Sequence, residues 1–222
     1  MIKMVVFDMA GTTIDEGNIV YKTLMKCINN AGFNMSLELV LAIGAGKEKR
    51  QAIKDIIATE QAAGNDLLVN SIYEIFVGEL AVAYNSFDIK PQEGAMELFG
   101  ALRSKGILVV LNTGYNGTTA RAILQQVHWR VGIEIDGLVT ASDVQHNRPN
   151  PDMILLAMEK FGVTDAGEVA KVGDSAIDIE EGRNAGCGLT VGITTGAHTQ
   201  AQLLIANPSH IIQHLNELLP LL

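Results

Sequence analysis

Apolar and polar positions along the chain follow two different repeats. Val5-Val6-Phe7 is a short unbroken apolar run, the pattern of a buried parallel strand, and it ends in Asp8 followed by a Gly11-Thr12-Thr13 turn. Thr12 to Asn18 reads as a turn that leaves the core. Val20-Tyr21, Leu24-Met25 and Ile28 then recur at helical spacing, and Gly32 closes that helix. Ser36 opens a second helix that stops at the loop Gly44-Ala45-Gly46. A third is expected from Lys47 to about Ala63 and a fourth from about Asp66 to Ala83. Ile89 to Gly94, with Pro91, reads as a return hinge.

Beyond the hinge, helix and strand alternate. Helices are expected over 95–105, 118–127, 151–161 and 176–185, and strands over 107–111, 137–140, 169–172, 189–193 and 210–212, with a terminal helix after the last. Strands separated by helices of this length form βαβ units. The expected fold is therefore α/β: a doubly wound parallel-sheet core with an inserted all-helical cap. Residues 1–15 and 92–222 are assigned to the core and 16–91 to the cap.

Composition narrows the function. The 222 residues are 48% apolar and carry a formal net charge of −9, which argues against a nucleic-acid surface, since that needs a basic footprint. No apolar run is read as long enough to cross a membrane, and no leader segment precedes the first strand. Cys27 and Cys187 have no metal-binding spacing, and a reducing cytoplasm fits them.

Candidate chemistry gathers at three strand ends. They are Asp8, then Asn112-Thr113-Gly114, then Gly173-Asp174-Ser175-Ala176-Ile177-Asp178, with Arg148 just before a helix as a further candidate. Each has a plain alternative: Asp8 or Asp174 as a helix cap, Thr113 as a turn residue, Asp178 as a solvated acid, Arg148 as a surface charge. Together, three carboxylates, a hydroxyl and a cation make the set that phosphoryl chemistry needs. Hard oxygen ligands hold Mg²⁺, and a carboxylate can attack phosphorus in line.

The motifs Asp8-Met9-Ala10-Gly11-Thr12-Thr13, Asn112-Thr113-Gly114-Tyr115, Arg148-Pro149 and Gly173-Asp174-(x3)-Asp178 resemble the haloacid dehalogenase superfamily over essentially the whole chain. The resemblance implies Asp8 as nucleophile, Thr113 as phosphate donor and Arg148 as the phosphate-neutralising cation. It implies a Mg²⁺ site at Asp8, Ala10, Asp174 and Asp178, and phosphate or substrate contacts at Ala10, Gly11, Thr12, Gly114 and Arg50. Most members carry lysine where this chain has Arg148; the fork of donors preserves the role. The implied partner is a small phosphorylated or phosphonylated metabolite, and the resemblance leaves room for a homodimer through the cap.

Ala10 is the informative departure. The general pattern has an aspartate there that protonates the leaving alkoxide, help worth about 10² to 10⁴ in rate. The Asp-x-Ala-Gly-Thr-Thr form resembles the phosphonatase-like subgroup, in which a cap lysine forms a Schiff base with an aldehyde and the carbon leaves as an enamine. Gly44-Ala45-Gly46-Lys47 is similar to that subgroup's Gly-x-x-Lys, which points to Lys47. A Schiff-base lysine needs its pKa lowered, and the neighbouring charges of Lys49 and Arg50 act in that direction. Two departures concern the cap: Arg50 stands where the pattern has histidine, and Asn18 where it has cysteine. Three functions remain open: P–C bond cleavage with Asp8 and Lys47, a phosphate monoester phosphatase, and a metabolite-binding protein without catalysis.

Overall fold

The computed structural model describes residues 1–60 and 66–222. The chain opens with β1 (Met4–Phe7) and β2 (Ile14–Asp15). Four helices follow: α1 (Ile19–Asn30), α2 (Leu37–Gly44), α3 (Lys49–Ile57) and α4 (Asp66–Ser86). Then come β3 (Lys90–Pro91), α5 (Ala95–Ser104), β4 (Leu108–Thr113), α6 (Gly117–Gln126), β5 (Gly137–Thr140), α7 (Asp152–Phe161) and β6 (Val169–Gly173). The last elements are α8 (Ala176–Asn184), β7 (Leu189–Ile193), α9 (Gln200–Ile205) and β8 (His210–Ile212).

The main sheet is parallel, in the order β5-β4-β1-β6-β7-β8. The chain runs outward from β1 through β4 to β5, then returns to lay β6 on the other side of β1. The switch point is thus the carboxyl end of β1, where α/β sheets open a crevice. Alternation along β1 sends Val5 and Phe7 into one apolar core and Met4 and Val6 into the other. Both faces are covered, which is why the strand is apolar at every position.

The helices of the insertion pack on one another, α1 against α2 and α4, and α3 against α2 and α4. Two elements lie outside the sequence expectation. One is α9; the other is the antiparallel ribbon of β2 and β3, which pairs Ile14 with Pro91 and Asp15 with Lys90. Strands of two residues are too short to show a period. The ribbon sets the outgoing and returning crossings of the insertion side by side, and Gln92 N–H donates to Thr13 O at 2.8 Å beside it.

Three expectations change. Helix α3 begins at Lys49, not Lys47, because the Glu48 side chain accepts from the backbone N–H of Arg50 and Gln51 as an N-cap. It ends at Ile57, and the remainder of the stretch expected to reach Ala63 falls partly on 61–65, outside the described residues. The terminal helix is replaced by two short 3₁₀ turns, Leu215–Glu217 and Leu219–Leu221, with Pro220 unable to donate within an α-helix. Helix α4 is, by length and composition, apolar enough to cross a membrane. Its inner stripe of Val69, Ile72, Phe76, Leu80 and Tyr84 is instead spent on the neighbouring helices.

Candidate active site

Strand pairing brings Asp8, Thr113 and Asp174 to one edge. The Asp8 N–H continues the β1–β6 ladder to Val172 O at 2.9 Å, and Thr13 Oγ1 donates to Asp8 O at 2.9 Å, closing the turn. Gly11 has φ +84°, and a Cβ there would overlap Asp174 Oδ2, so glycine is what lets the β1 turn lie against the third acid.

Arg148 joins the three strand ends from the segment before α7. It is 4% exposed, and its Nη1 lies 2.7 Å from Asp8 Oδ1 and 3.0 Å from Asp178 Oδ1. Its Nε donates to Glu181 Oε2 at 2.9 Å, and its Nη2 donates to Asn112 Oδ1 at 2.5 Å. Lys171, fully buried on β6, donates to Asn112 Oδ1 at 2.6 Å and sits 3.0 Å from Asp178 Oδ1. Asn112 returns its amide protons to both Glu181 oxygens. Lys171, Asn112 and Glu181 received no role from the sequence. The signal was a lysine inside the apolar strand 169–172, a position that tolerates charge only beside a partner.

Burial and the charge of Asp178 push the Asp8 carboxyl up, against the pull of Arg148 and Lys171. Asp174 is pushed well up by burial and by the charges of Asp8 and Asp178. Burial acts the same way on Asp178, but Arg148, Lys171 and the Ser175 hydroxyl hold it below the ordinary carboxylate value. Four carboxylates, Asp8, Asp174, Asp178 and Glu181, against the two cations Arg148 and Lys171 leave a formal charge of −2 in a buried volume.

That surplus and the all-oxygen donor set fit a hard divalent cation. Asp178 Oδ1 is met by charge from Arg148 and Lys171 without an aligned hydrogen bond. No three His, Cys, Asp or Glu side chains among the described residues are grouped closely enough to hold an ion as they stand. Arg148 contacts Asp8 and Asp178 at once, and Asp174 Oδ2 accepts from Ala197 N–H at 2.6 Å.

The cap loop reaches into this cluster. Gly46, at φ +71°, donates its N–H to Tyr21 Oη at 3.0 Å, and a Cβ on it would overlap Ile177 and Ser175. From the other side, a Cβ on Gly114 would stand 2.7 Å from Lys47 O, so Gly114 lets the cap backbone close on the β4 loop. Thr113 Oγ1 accepts from Tyr115 N–H at 3.2 Å, and Thr12 Oγ1 is buried without a hydrogen-bond partner. Ala10 is half-buried at the β1 turn and bridges to Ile14.

Two lysines of the cap loop lie near the acid cluster, in different surroundings. Lys47 lines a cavity of about 440 Å³ with Arg148, but its amine is 2.6 Å from Asp55 Oδ2. Lys49 is 6% exposed, with Nζ donating to Lys47 O at 2.7 Å and lying 5.3 and 5.4 Å from the ring centroids of Tyr21 and Tyr115. Burial pushes the Lys49 amine down to about 8, against the charges of Asp8 and Glu48. Gly46-Lys47-Glu48-Lys49 repeats the Gly-x-x-Lys spacing two residues later, a signal present in the sequence. Arg50 is not brought to the substrate side as expected: it is exposed, its guanidinium 4.3 Å from the Tyr73 ring centroid on α4.

A parallel sheet with an acid at its switch point, a buried guanidinium on that acid and a helical insertion closing over both define a capped α/β hydrolase. The model of the haloacid dehalogenase-like hydrolases matches residues 2–186, and the chain belongs to that family. It is 30% identical over 205 residues to a phosphonoacetaldehyde hydrolase of Bordetella pertussis, covering 86% of this chain and 72% of that protein. A phosphonoacetaldehyde hydrolase of Paraburkholderia xenovorans is 29% identical over 210 residues, or 89% and 76%. Among solved structures, a phosphonoacetaldehyde hydrolase-like protein from Oleispira antarctica superposes with a TM-score of 0.86 at 24% identity, covering 99% of this chain and 91% of that one.

Proposed function

We propose that this hydrolase cleaves the P–C bond of a small phosphonate aldehyde, with Asp8 as nucleophile and Lys49, rather than Lys47, as the amine that takes up the carbonyl. The observation that carries this reading is the buried Lys49 amine, close enough to Asp8 for their charges to interact, in a site whose position 10 has no acid. An amine pushed down to about 8 leaves about one molecule in ten with the free base at pH 7, against about one in 10³ for an ordinary lysine.

The free amine adds to the aldehyde and one water leaves, giving an imine, which takes up one proton to become the iminium. Asp8 then attacks phosphorus, the P–C electron pair moves into the iminium as an enamine, and an aspartyl phosphate remains. Water cleaves that acyl phosphate, releasing phosphate and the Asp8 carboxylate. A proton on the enamine carbon followed by hydrolysis returns acetaldehyde and the lysine. Because the leaving group is an enamine and not an alkoxide, an acid at position 10 is not required.

In this reading Arg148, now paired with Asp8, and Thr113 meet the phosphonate oxygens, and the unpartnered hydroxyl of Thr12 supports a further donor. Asp8, Asp174 and the Ala10 backbone, with Asp178 behind them, would hold Mg²⁺, which supplies charge compensation for the phosphoryl group. The test is borohydride reduction in the presence of phosphonoacetaldehyde, followed by peptide mapping. The adduct is expected on Lys49. An adduct on Lys47 overturns the lysine assignment, and steady hydrolysis of phosphate esters with no adduct, unaffected by Lys49→Ala, favours a monoester phosphatase.

A further inference from the structure

Glu16 is the buried acid that the chemistry above does not use. It follows β2 at the crossing into the insertion and is 2% exposed. Its Oε2 accepts from Val20 N–H at 2.9 Å and from the Tyr84 hydroxyl at 3.2 Å. Tyr84, on α4, shares a 2.7 Å contact with the hydroxyl of Tyr115, which lies in the β4–α6 loop two residues after Thr113. Since Tyr84 donates to Glu16, its oxygen accepts from Tyr115, and an ionised Glu16 sets the direction of the whole chain. The Tyr115 ring is one of the two beside the Lys49 amine.

Bracing the start of α1 accounts for an acceptor here and favours a negative one. It does not account for the Tyr84–Tyr115 hydroxyl pair that ties the same carboxylate to the core loop. The cation whose charge reaches Glu16 is Lys49. A carboxylate, three phenols and one amine, each under 10% exposed, therefore form one sealed group across hinge, cap and core.

We propose that Glu16 is a positioning residue for the Lys49 amine: its charge, seated against the Tyr84–Tyr115 hydroxyl pair, favours the ammonium and so helps set when the free amine is available to a carbonyl substrate. This rests on the reading of Lys49 as the reactive amine. Several groups face the pair. Asp8 at the end of β1 and Glu48 at the cap of α3 favour the Lys49 ammonium more strongly than Glu16 does, and Arg148 opposes it. Tyr21 from α1, Tyr84 from α4 and Tyr115 from the core loop complete the walls, their hydroxyls pushed well up by burial and hence neutral. Burial pushes Glu16 up to about 7 and the Lys49 amine down to about 8, so both groups change charge in the pH range the experiment covers.

The experiment is reductive ethylation of the full chain with acetaldehyde and borohydride across pH, with Lys49 followed by mass spectrometry. Amine and carbonyl lose one water to an imine, and hydride reduces the imine carbon. Glu16→Gln keeps the shape and acceptor but not the charge, and the midpoint for Lys49 is expected to fall by about one pH unit. Glu16→Asp restores charge, and its midpoint should lie above that of the Gln variant. An unchanged midpoint in Glu16→Gln, or equal midpoints for Asp and Gln, overturns the role of Glu16 while leaving Lys49 as the amine. Lys49 resisting ethylation at every pH overturns both. Should Glu16→Gln not fold, Tyr84→Phe decides, because it strips Glu16 of its side-chain donor and weakens its charge. The midpoint then falls in the same direction by less, and an unmoved one overturns the proposal.

Discussion

Arg148 Nη1 sits 2.7 Å from Asp8 Oδ1, with both side chains under 10% exposed, so the proposed nucleophile is paired with the cation proposed to meet its substrate. The same guanidinium also holds Glu181 and Asn112, which makes it the hub of the acid cluster. Arg148→Lys keeps one charge but cannot reach three partners at once. Its turnover is expected to fall by about 10²-fold. Arg148→Ala leaves buried acids unpaired and should lose about 3–5 kcal/mol in urea unfolding.

The two lysines of the cap loop separate cleanly by substitution. Lys49→Ala should abolish cleavage of a phosphonate aldehyde, while Lys47→Ala, which frees Asp55 at the mouth of the cavity, should change turnover by less than about tenfold. Steady-state phosphate release measures both. Equal losses would mean that Lys47 leaves Asp55 when substrate binds.

Glu16 makes stability depend on pH in a defined direction. Its value is about 7 in the folded chain against 4.5 in the unfolded one, so the native state binds more protons between those values and stability falls as pH rises through that window. The difference of about 2.5 units corresponds to about 3 kcal/mol. Relative to the parent, Glu16→Gln should therefore gain up to about 3 kcal/mol in unfolding free energy from pH 4.5 to 8. Denaturant titrations at several pH values check the sign. Lys49 acts over a different window: the unfolded chain binds more protons between about 8 and 10.5, so its contribution rises with pH there.

Gly114 is where cap and core backbones touch. Gly114→Ala would set a Cβ 2.7 Å from Lys47 O, a backbone atom that cannot swing aside. The expected cost is about 1–3 kcal/mol, with the Gly46–Lys47 loop displaced from the β4 loop. Thermal unfolding and faster proteolysis of the cap read it out.

Asp174 tests the metal reading without relying on activity. Its carboxyl is pushed well up by burial and by Asp8 and Asp178, and a divalent cation beside the three would relieve that repulsion. Millimolar Mg²⁺ should raise the melting temperature of the parent chain and leave Asp174→Asn unmoved.

The parallel sheet was legible because strands buried on both faces must be apolar throughout, and the run 4–7 and the strands 137–140 and 189–193 are at or near where the pattern puts them. The strand-end acids were legible for a related reason: Asp8 and Asp174 interrupt apolar runs at the places where a sheet presents ligands. The motif pointed to Lys47, with Lys49 only as a neighbouring charge. The burial of Lys49 was not legible, because it depends on Glu48 acting as the N-cap, which starts α3 at Lys49 while Lys47 runs out to Asp55. Glu16 and Tyr84 are 68 residues apart, and their meeting requires the ribbon of β2 and β3 that two-residue strands do not announce.

Phosphate release from phosphonoacetaldehyde with Mg²⁺, compared among the parent chain, Asp8→Asn and Lys49→Ala, tests the central claim most directly. The account predicts release by the parent and none by either variant, both remaining folded by circular dichroism. Release that survives in Lys49→Ala, or a parent that releases phosphate only from phosphate esters, would contradict it.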